Sequence, residues 1–263
     1  LIHGAASTVQ TTFGRLIPEL SKTHHIIGVE LQAHGHSDNR DGRPISFEQD
    51  AADVVELLQQ LQPDLILVGS DQSVLQPRLN AIAPTEIFET RDHGTPIEQV
   101  AQLTVDVATR IQRLAAGERY LANAWQTFAE AHRRCAHLNI APLQVISVID
   151  ERRALVFGQG SLFDDVLVRL GLRNAWLTAT NGWGYATIGF EQLAEQPDAQ
   201  LVYFNAAPGL EPRLANNPLW RNLPSVRSGH AIKLPEVLFY GGMPSAVSFA
   251  RLLAAQLPEV NRG

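Results

Sequence analysis

Apolar positions in the first part of the chain alternate between short runs and helical spacing. Leu1–Ile2 and Ile26–Leu31 are apolar runs typical of buried strands, and Phe13–Leu20 between them has helical spacing. Two further short strands are predicted at Leu65–Val68 and Ile87–Phe88. Alternation of this kind predicts an α/β fold in which a parallel sheet has helices on both faces.

A long helical segment follows Pro96. Ile97–Leu114 and Glu118–Leu138 carry nearly uninterrupted helical periodicity, and we predict that Gly117 breaks it. Cys135 falls on the apolar stripe of the second helix. We therefore interpret Cys135 as a packed thiol and not as a nucleophile.

After Pro142 the alternation of strands and helices resumes. The predicted strands are Leu143–Ile149, Leu201–Phe204 and Ala231–Leu234, and the predicted helices are Ser161–Leu170 and Ser245–Leu257. We therefore predict two α/β lobes joined by a long helix. The N-terminal lobe covers residues 1–95, the helical connector 96–141 and the C-terminal lobe 142–263.

Composition excludes several classes of function. The 263 residues are 45% hydrophobic, which suffices for a sizeable core, and no apolar run approaches the ~20 residues that cross a bilayer. A net charge of −6 without a long basic run disfavours nucleic acid as a partner. The single cysteine excludes a disulfide within the chain and any multi-thiolate metal site.

Two motifs that contain His-Gly pairs lie in residues 1–62. His3-Gly4-Ala5-Ala6 follows the first predicted strand, and Ala33-His34-Gly35-His36-Ser37 follows the second. With them, residues 1–62 resemble the N-terminal half of the α/β-hydrolase fold, which has a His-Gly oxyanion turn and a Gly-His-Gly-x-Ser segment. The second motif departs from that pattern at its first glycine. The resemblance implies an α/β-fold serine hydrolase, esterase-like, as one alternative.

A serine hydrolase of this kind needs a nucleophile elbow, Gly-x-Ser-x-Gly, after a strand. The chain has Gly69-Ser70-Asp71-Gln72-Ser73, in which the serine is displaced and the second glycine is absent. A triad also needs a late histidine, and His230 is the one candidate, which we interpret as a solvated turn residue. We therefore do not expect Ser70 to act as a nucleophile.

Several motifs recur in a characteristic order after about residue 63. They are Ala154–Gly158, Ser161–Phe163, Asn174–Trp176, Asn181–Gly184, Pro218–Trp220 and Phe239–Gly242. With these motifs, residues 63–263 resemble the periplasmic ferric-hydroxamate siderophore-binding proteins of ABC importers. The resemblance implies two α/β lobes, a long helix that joins them and a shallow ligand cleft.

The resemblance also implies a set of ligand-binding residues. They are Trp183, Asn181, Tyr185, Tyr240, Phe239 and Leu155. Such a site fits the chemistry of the ligand, because three hydroxamates already supply the six oxygen ligands of Fe(III). The protein then needs aromatic faces and a few hydrogen-bond donors, and it needs no metal ligand or cofactor of its own.

The chain departs from the family at several positions of the expected cleft. Aromatic residues are expected where Val68, Gln72 and Leu238 stand, and an arginine that binds the hydroxamates is expected in the N-terminal lobe. We therefore expect a weak, micromolar affinity, or about −8 kcal/mol.

We interpret the chain as a solute-binding protein for iron(III)-hydroxamate siderophores that serves an ABC importer, and not as an enzyme. The alternatives are the serine hydrolase and a recombined chimera without function. The resemblance implies that Glu191 or Glu195 docks on the permease in the inner membrane. We expect a periplasmic monomer whose signal peptide lies outside residues 1–263.

Overall fold

The structure of the protein is a computed structural model that describes residues 1–2, 8–10, 17–23, 25–38, 46–90, 94–205 and 209–260. The chain divides into two units, Leu1–Phe88 and Glu89–Gly263. The motif His3–Ala6 and the first half of the predicted helix Phe13–Leu20 lie outside the described residues, and its second half is helical.

The first unit contains a small parallel sheet. Its elements are α1 (Ile17–Leu20), α2 (Phe47–Leu61), β1 (Ile66–Gly69), a 3₁₀ helix (Ser70–Leu75), α3 (Gln76–Leu79) and β2 (Thr85–Phe88). β1 and β2 pair in parallel, with Val68 opposite Ile87. These pairings confirm the two strands predicted in this region.

The predicted strand Ile26–Leu31 is wrong in extent. Among the described residues its pairing is limited to an isolated parallel bridge between Val29 and Ile2. Gly28 interrupts the apolar run, and a glycine weakens a strand because it has no side chain to pack.

The second unit contains a mixed sheet of five strands. They are β3 (Leu143–Val148), β4 (Arg153–Phe157), β5 (Tyr185–Gly189), β6 (Gln200–Asn205) and β7 (Ile232–Lys233), in the order β5-β4-β3-β6-β7. β3, β6 and β7 are parallel, whereas β4 is antiparallel to both β3 and β5. The α/β class is confirmed. β4 runs antiparallel to β3 because the short link 149–152 permits only a hairpin.

Helices cover this sheet. They are α4 (Pro96–Arg110), α5 (Leu114–Cys135), α6 (Leu162–Arg169), α7 (Phe190–Leu193), α8 (Leu210–Asn216), α9 (Pro218–Asn222), α10 (Pro224–Arg227) and α11 (Gly242–Val260). α11 packs against α4, α5 and α6. Phe163 of α6 and Phe249 of α11 are fully buried, with ring centres 4.5 Å apart. Among the helices of the described residues, none has the length and apolarity that a membrane span requires.

The helical segment after Pro96 breaks at a different place from the one predicted. α4 ends at Arg110 and α5 begins at Leu114, with Gln112 in the left-handed region (φ 57°). Gly117 lies inside α5, where a Cβ would come within 2.7 Å of the Ala108 side chain of α4. The glycine therefore serves the close approach of the two helices and does not end a helix.

Both helices of this segment pack within the second unit, against α11 and α6. The role of residues 96–141 as a connector between lobes stays a prediction. Cys135 is only 2% exposed and lies in the main core of the unit. Its burial raises the pKa of the thiol, which agrees with a packed and unreactive cysteine.

A buried carboxylate fastens the start of α4 to α6. Asp165 Oδ2 accepts a hydrogen bond of 2.8 Å from the backbone N–H of Ile97, and Oδ1 forms an ion pair of 3.2 Å with Arg169 Nε. The guanidinium of Arg169 lies 5.2 Å from the centre of the Trp125 ring on α5. Asp165 thus joins α4 to α6, and its ion-pair partner Arg169 adds the contact with α5.

Candidate ligand-binding site

Four aromatic side chains meet at the surface of the second unit. Trp183 and Tyr240 are in edge-to-face contact with ring centres 4.9 Å apart, and Phe239 and Tyr240 are 4.2 Å apart. Tyr185 lies 6.0 Å from Phe239 and 6.5 Å from Tyr240. We call these four residues the aromatic cluster. The structure thus brings together four of the six site residues that the sequence predicts.

The aromatic cluster has an exposed outer pair and an inner pair rooted in the core. Trp183 is 47% exposed and Tyr240 is 56% exposed. Tyr185 and Phe239 are partly buried against Phe157, whose ring centre lies 6.4 and 5.4 Å from theirs. Exposed aromatic rings that rest on aromatic residues packed in the core are typical of sites that bind an apolar ligand surface.

Asn181 organises the loop that carries Trp183. Its Oδ1 accepts hydrogen bonds from the backbone N–H groups of Trp183 (2.9 Å) and Tyr185 (3.3 Å). This role was not predicted from the sequence, although the pair Asn181-Gly182 is a typical turn signal. Contact between Asn181 and a ligand stays a prediction.

Leu155 lies on β4 opposite Thr187 of β5 and is partly buried. It packs against the same core as Tyr185 and Phe239. Its contact with a ligand also stays a prediction.

Two of the positions that lack an expected aromatic residue differ in exposure. Leu238 is exposed and directly precedes Phe239 of the aromatic cluster, whereas Val68 is buried in the first unit. The aromatic cluster itself belongs entirely to the second unit.

The two candidate docking carboxylates are at the surface. Glu191 lies in the first turn of α7, and Glu195 follows the end of that helix. Both side chains are exposed, as a docking surface requires.

The structure contains no nucleophile elbow at Ser70. Ser70 opens the 3₁₀ helix after β1, and the non-glycine residues with positive φ among those described are Ala33, Gln62 and Gln112. His230 is exposed, as predicted, and directly follows the turn at 228–229. The described residues also hold no group of three or more His, Cys, Asp or Glu side chains that could bind a metal ion.

We expect no esterase activity above the buffer rate, because an elbow is needed to expose the hydroxyl of Ser70 to a base. The measurement is hydrolysis of an activated short-chain ester by the wild-type protein and by Ser70→Ala. A rate well above buffer that disappears in the variant would contradict this prediction.

Sequence comparison finds two curated relatives of this chain. The chain is 30% identical to the iron(3+)-hydroxamate-binding protein FhuD of Escherichia coli over 200 residues, which cover 76% of this chain and 68% of that protein. It is 28% identical to the protein of the same name from Bacillus subtilis over 199 residues, but it spans only 60% of that relative's length.

Solved structures share the fold. The Fe³⁺-Desferal-bound siderophore-binding protein FhuD of Vibrio cholerae superposes with a TM-score of 0.68 at 20% identity, over 88% of this chain and 85% of that one. The triscatecholate siderophore-binding protein FeuA of B. subtilis, complexed with ferri-bacillibactin, gives 0.62 at 15% identity, over 83% and 82%. At such identities these two matches show the fold alone.

A family model described as periplasmic binding protein matches residues 9–238. The match includes nearly all of the segment 1–62 that resembles a hydrolase, so the comparisons do not support the hydrolase and chimera alternatives. The matched part covers more than half of the chain. The chain therefore belongs to the periplasmic binding protein family.

Proposed function

We propose that this protein binds iron(III)-hydroxamate siderophores and presents them to an ABC importer. The observation that carries the proposal is the contact of Trp183 with Tyr240 at the surface of the second unit. The names of the curated relatives support the same ligand class. Members of the family are substrate-binding proteins and not enzymes, and the family implies a location outside the cytoplasm.

The aromatic cluster suits a ligand that arrives fully assembled. Three hydroxamates occupy the six coordination positions of Fe(III), so the complex presents a largely organic surface to the protein. Aromatic rings can cover such a surface without competing for the iron. The iron is cargo in this proposal, and no side chain of the protein needs to coordinate it.

The charge of the loops around the aromatic cluster favours hydroxamates over catecholates. Three singly charged hydroxamates neutralise Fe(III), whereas three doubly charged catecholates leave a strongly anionic complex. Residues 178–185 and 235–241 contain no Lys or Arg and include one acidic residue, Glu236. An anionic complex would find no counter-charge on these loops, whereas a neutral one needs none.

Delivery of the ligand requires a second partner. We propose that exposed Glu191 or Glu195 docks against basic residues of the permease. We also propose that the protein acts as a periplasmic monomer.

Intrinsic fluorescence tests the ligand site. A bound ferric hydroxamate absorbs light, so it should quench the exposed indole of Trp183 in a saturable manner, with a Kd in the micromolar range, or about −8 kcal/mol. Ferrichrome-type and ferrioxamine-type complexes are titrated, with a ferric triscatecholate for comparison. We expect Trp183→Leu and Tyr240→Ala each to weaken binding about tenfold or more, because each removes a large contact face. Because Trp183→Leu lacks the quenched indole, its affinity is measured by equilibrium dialysis of the light-absorbing complex.

Trp125→Leu is the matched control, because Trp125 is also partly exposed but lies on α5. We expect this variant to keep the affinity of the wild-type protein. The proposal would be overturned if ferric hydroxamates at about a hundred times the expected Kd gave no saturable quenching of the wild-type protein. It would also be overturned if Trp183→Leu and Tyr240→Ala bound as tightly as Trp125→Leu.

A further inference from the structure

The side-chain oxygen of Asn181 holds two backbone groups of the aromatic loop at once. It accepts from the N–H of Trp183 at 2.9 Å and from the N–H of Tyr185 at 3.3 Å. Both partners are donors, so the oxygen of the carboxamide must face them and the NH₂ group must point away. The backbone of Asn181 adds two bonds, from its N–H to Tyr185 O (3.0 Å) and from Gly184 N–H to its own O (2.9 Å).

The two ends of this loop are tied to the chain that leaves β4. The N–H of Gly158 donates to Gly184 O at 3.0 Å, and Thr180 Oγ1 donates to Gln159 O at 2.8 Å. Gly182 and Trp183 lie between these two ties and are both exposed. The bond from the Trp183 N–H to Asn181 restrains this part.

We infer that Asn181 is a positioning residue whose side-chain oxygen fixes the Trp183 loop before a ligand arrives. The effect of Asn181 on ligand affinity rests on the proposed function, whereas its effect on the order of the Trp183 loop does not depend on that function. A loop that is already ordered spends less conformational entropy on binding than one that the ligand must order. The affinity therefore depends on the oxygen of Asn181 and not on its NH₂ group.

Two substitutions of Asn181 test the contributions of its side-chain oxygen and its NH₂ group separately. Asn181→Asp keeps an oxygen that can accept both N–H bonds and loses the amide donors. Asn181→Ala loses both. A neutral ferrichrome-type complex is the probe, so that the added carboxylate charge has little effect.

The experiment has one readout without ligand and one with it. Amide hydrogen exchange of Trp183 and Tyr185 is measured by NMR in the free proteins, and the fluorescence titration is then repeated. We expect Asn181→Ala to lose the protection of both amides and to bind about tenfold more weakly, a size that fits two lost hydrogen bonds. We expect Asn181→Asp to keep the protection and to bind within about threefold of the wild-type protein.

Two results would overturn the inference, and a third would separate it from the proposed function. Unchanged protection in Asn181→Ala overturns the inference. Equal losses of affinity in both variants, with protection kept in Asn181→Asp, also overturn it and assign the NH₂ group as a ligand donor. If the wild-type protein binds no ferric hydroxamate while protection follows the expected order, the proposed function fails and the positioning of the loop stands.

Discussion

Replacing Gly184 with alanine should destabilise the second unit and weaken ligand binding together. Gly184 has φ +76°, a region that L side chains rarely adopt, and a Cβ there would come within 2.0 Å of Ser161 N and 2.3 Å of Gly160 C. These are backbone atoms at the start of α6, so they cannot swing aside. We expect a loss of about 3 kcal/mol in the free energy of unfolding, from the strained φ and the overlap combined.

Urea unfolding followed by tryptophan fluorescence measures this loss, since all four tryptophans lie in the second unit. The siderophore titration measures the second effect, because Gly184 directly follows Trp183. Gly182→Ala is the matched control in the same loop: Gly182 has an ordinary φ, and no atom lies within 4 Å of its would-be Cβ. Equal stability and affinity in the two variants would show that the packing under Gly184 does not matter.

Much of the fold of the second unit could be predicted from the sequence because its elements are long or deeply buried. β3 is buried along its whole length, and Ser161 caps α6 through a hydrogen bond from Asp164 N–H, so both gave clear signals. β5 was missed because it has only five residues, Tyr185–Gly189, of which Ile188 alone is buried, and it ends in glycine. No apolar run or clean alternation marks such a strand.

Sequence periodicity could not place the break between α4 and α5. It pointed to Gly117, since glycine in a helix is unfavourable by its backbone entropy. In the structure Gly117 lies inside α5, because its missing side chain lets α5 approach Ala108 of α4. A contact between two helices is not visible in the pattern of either helix.

The aromatic residues of the candidate site could be named from a family resemblance, but their mutual contact could not. Trp183 and Tyr240 are separated in sequence by β5, β6 and β7, and only the folded sheet brings them together. The role of Asn181 was missed for a related reason. A resemblance names a residue type at a position, whereas the direction of its hydrogen bonds depends on the local backbone.

Replacing Asp165 with alanine should lower the free energy of unfolding of the second unit by about 3 kcal/mol. Asp165 is only 6% exposed and serves two partners, the N–H of Ile97 and the guanidinium of Arg169. Alanine leaves the N–H of Ile97 without this acceptor, and Ile97 is fully buried. It also removes the nearer of two carboxylates that face Arg169, at 3.2 Å, and leaves the exposed Glu98 at 4.0 Å. Urea unfolding followed by tryptophan fluorescence again gives the measurement.

Asp165→Asn separates the contribution of the hydrogen bond with Ile97 to the free energy of unfolding from that of the ion pair with Arg169. The asparagine oxygen can still accept from the Ile97 N–H, whereas the buried charge next to Arg169 is lost, so we expect a decrease in stability smaller than that of the alanine variant. Glu211→Gln is the control for an exposed ion pair, because Glu211 and Lys233 are both well exposed. Such pairs contribute little, so we expect a change under about 0.5 kcal/mol. If Asp165→Ala costs no more than Glu211→Gln, the buried carboxylate does not fasten α4 to α6.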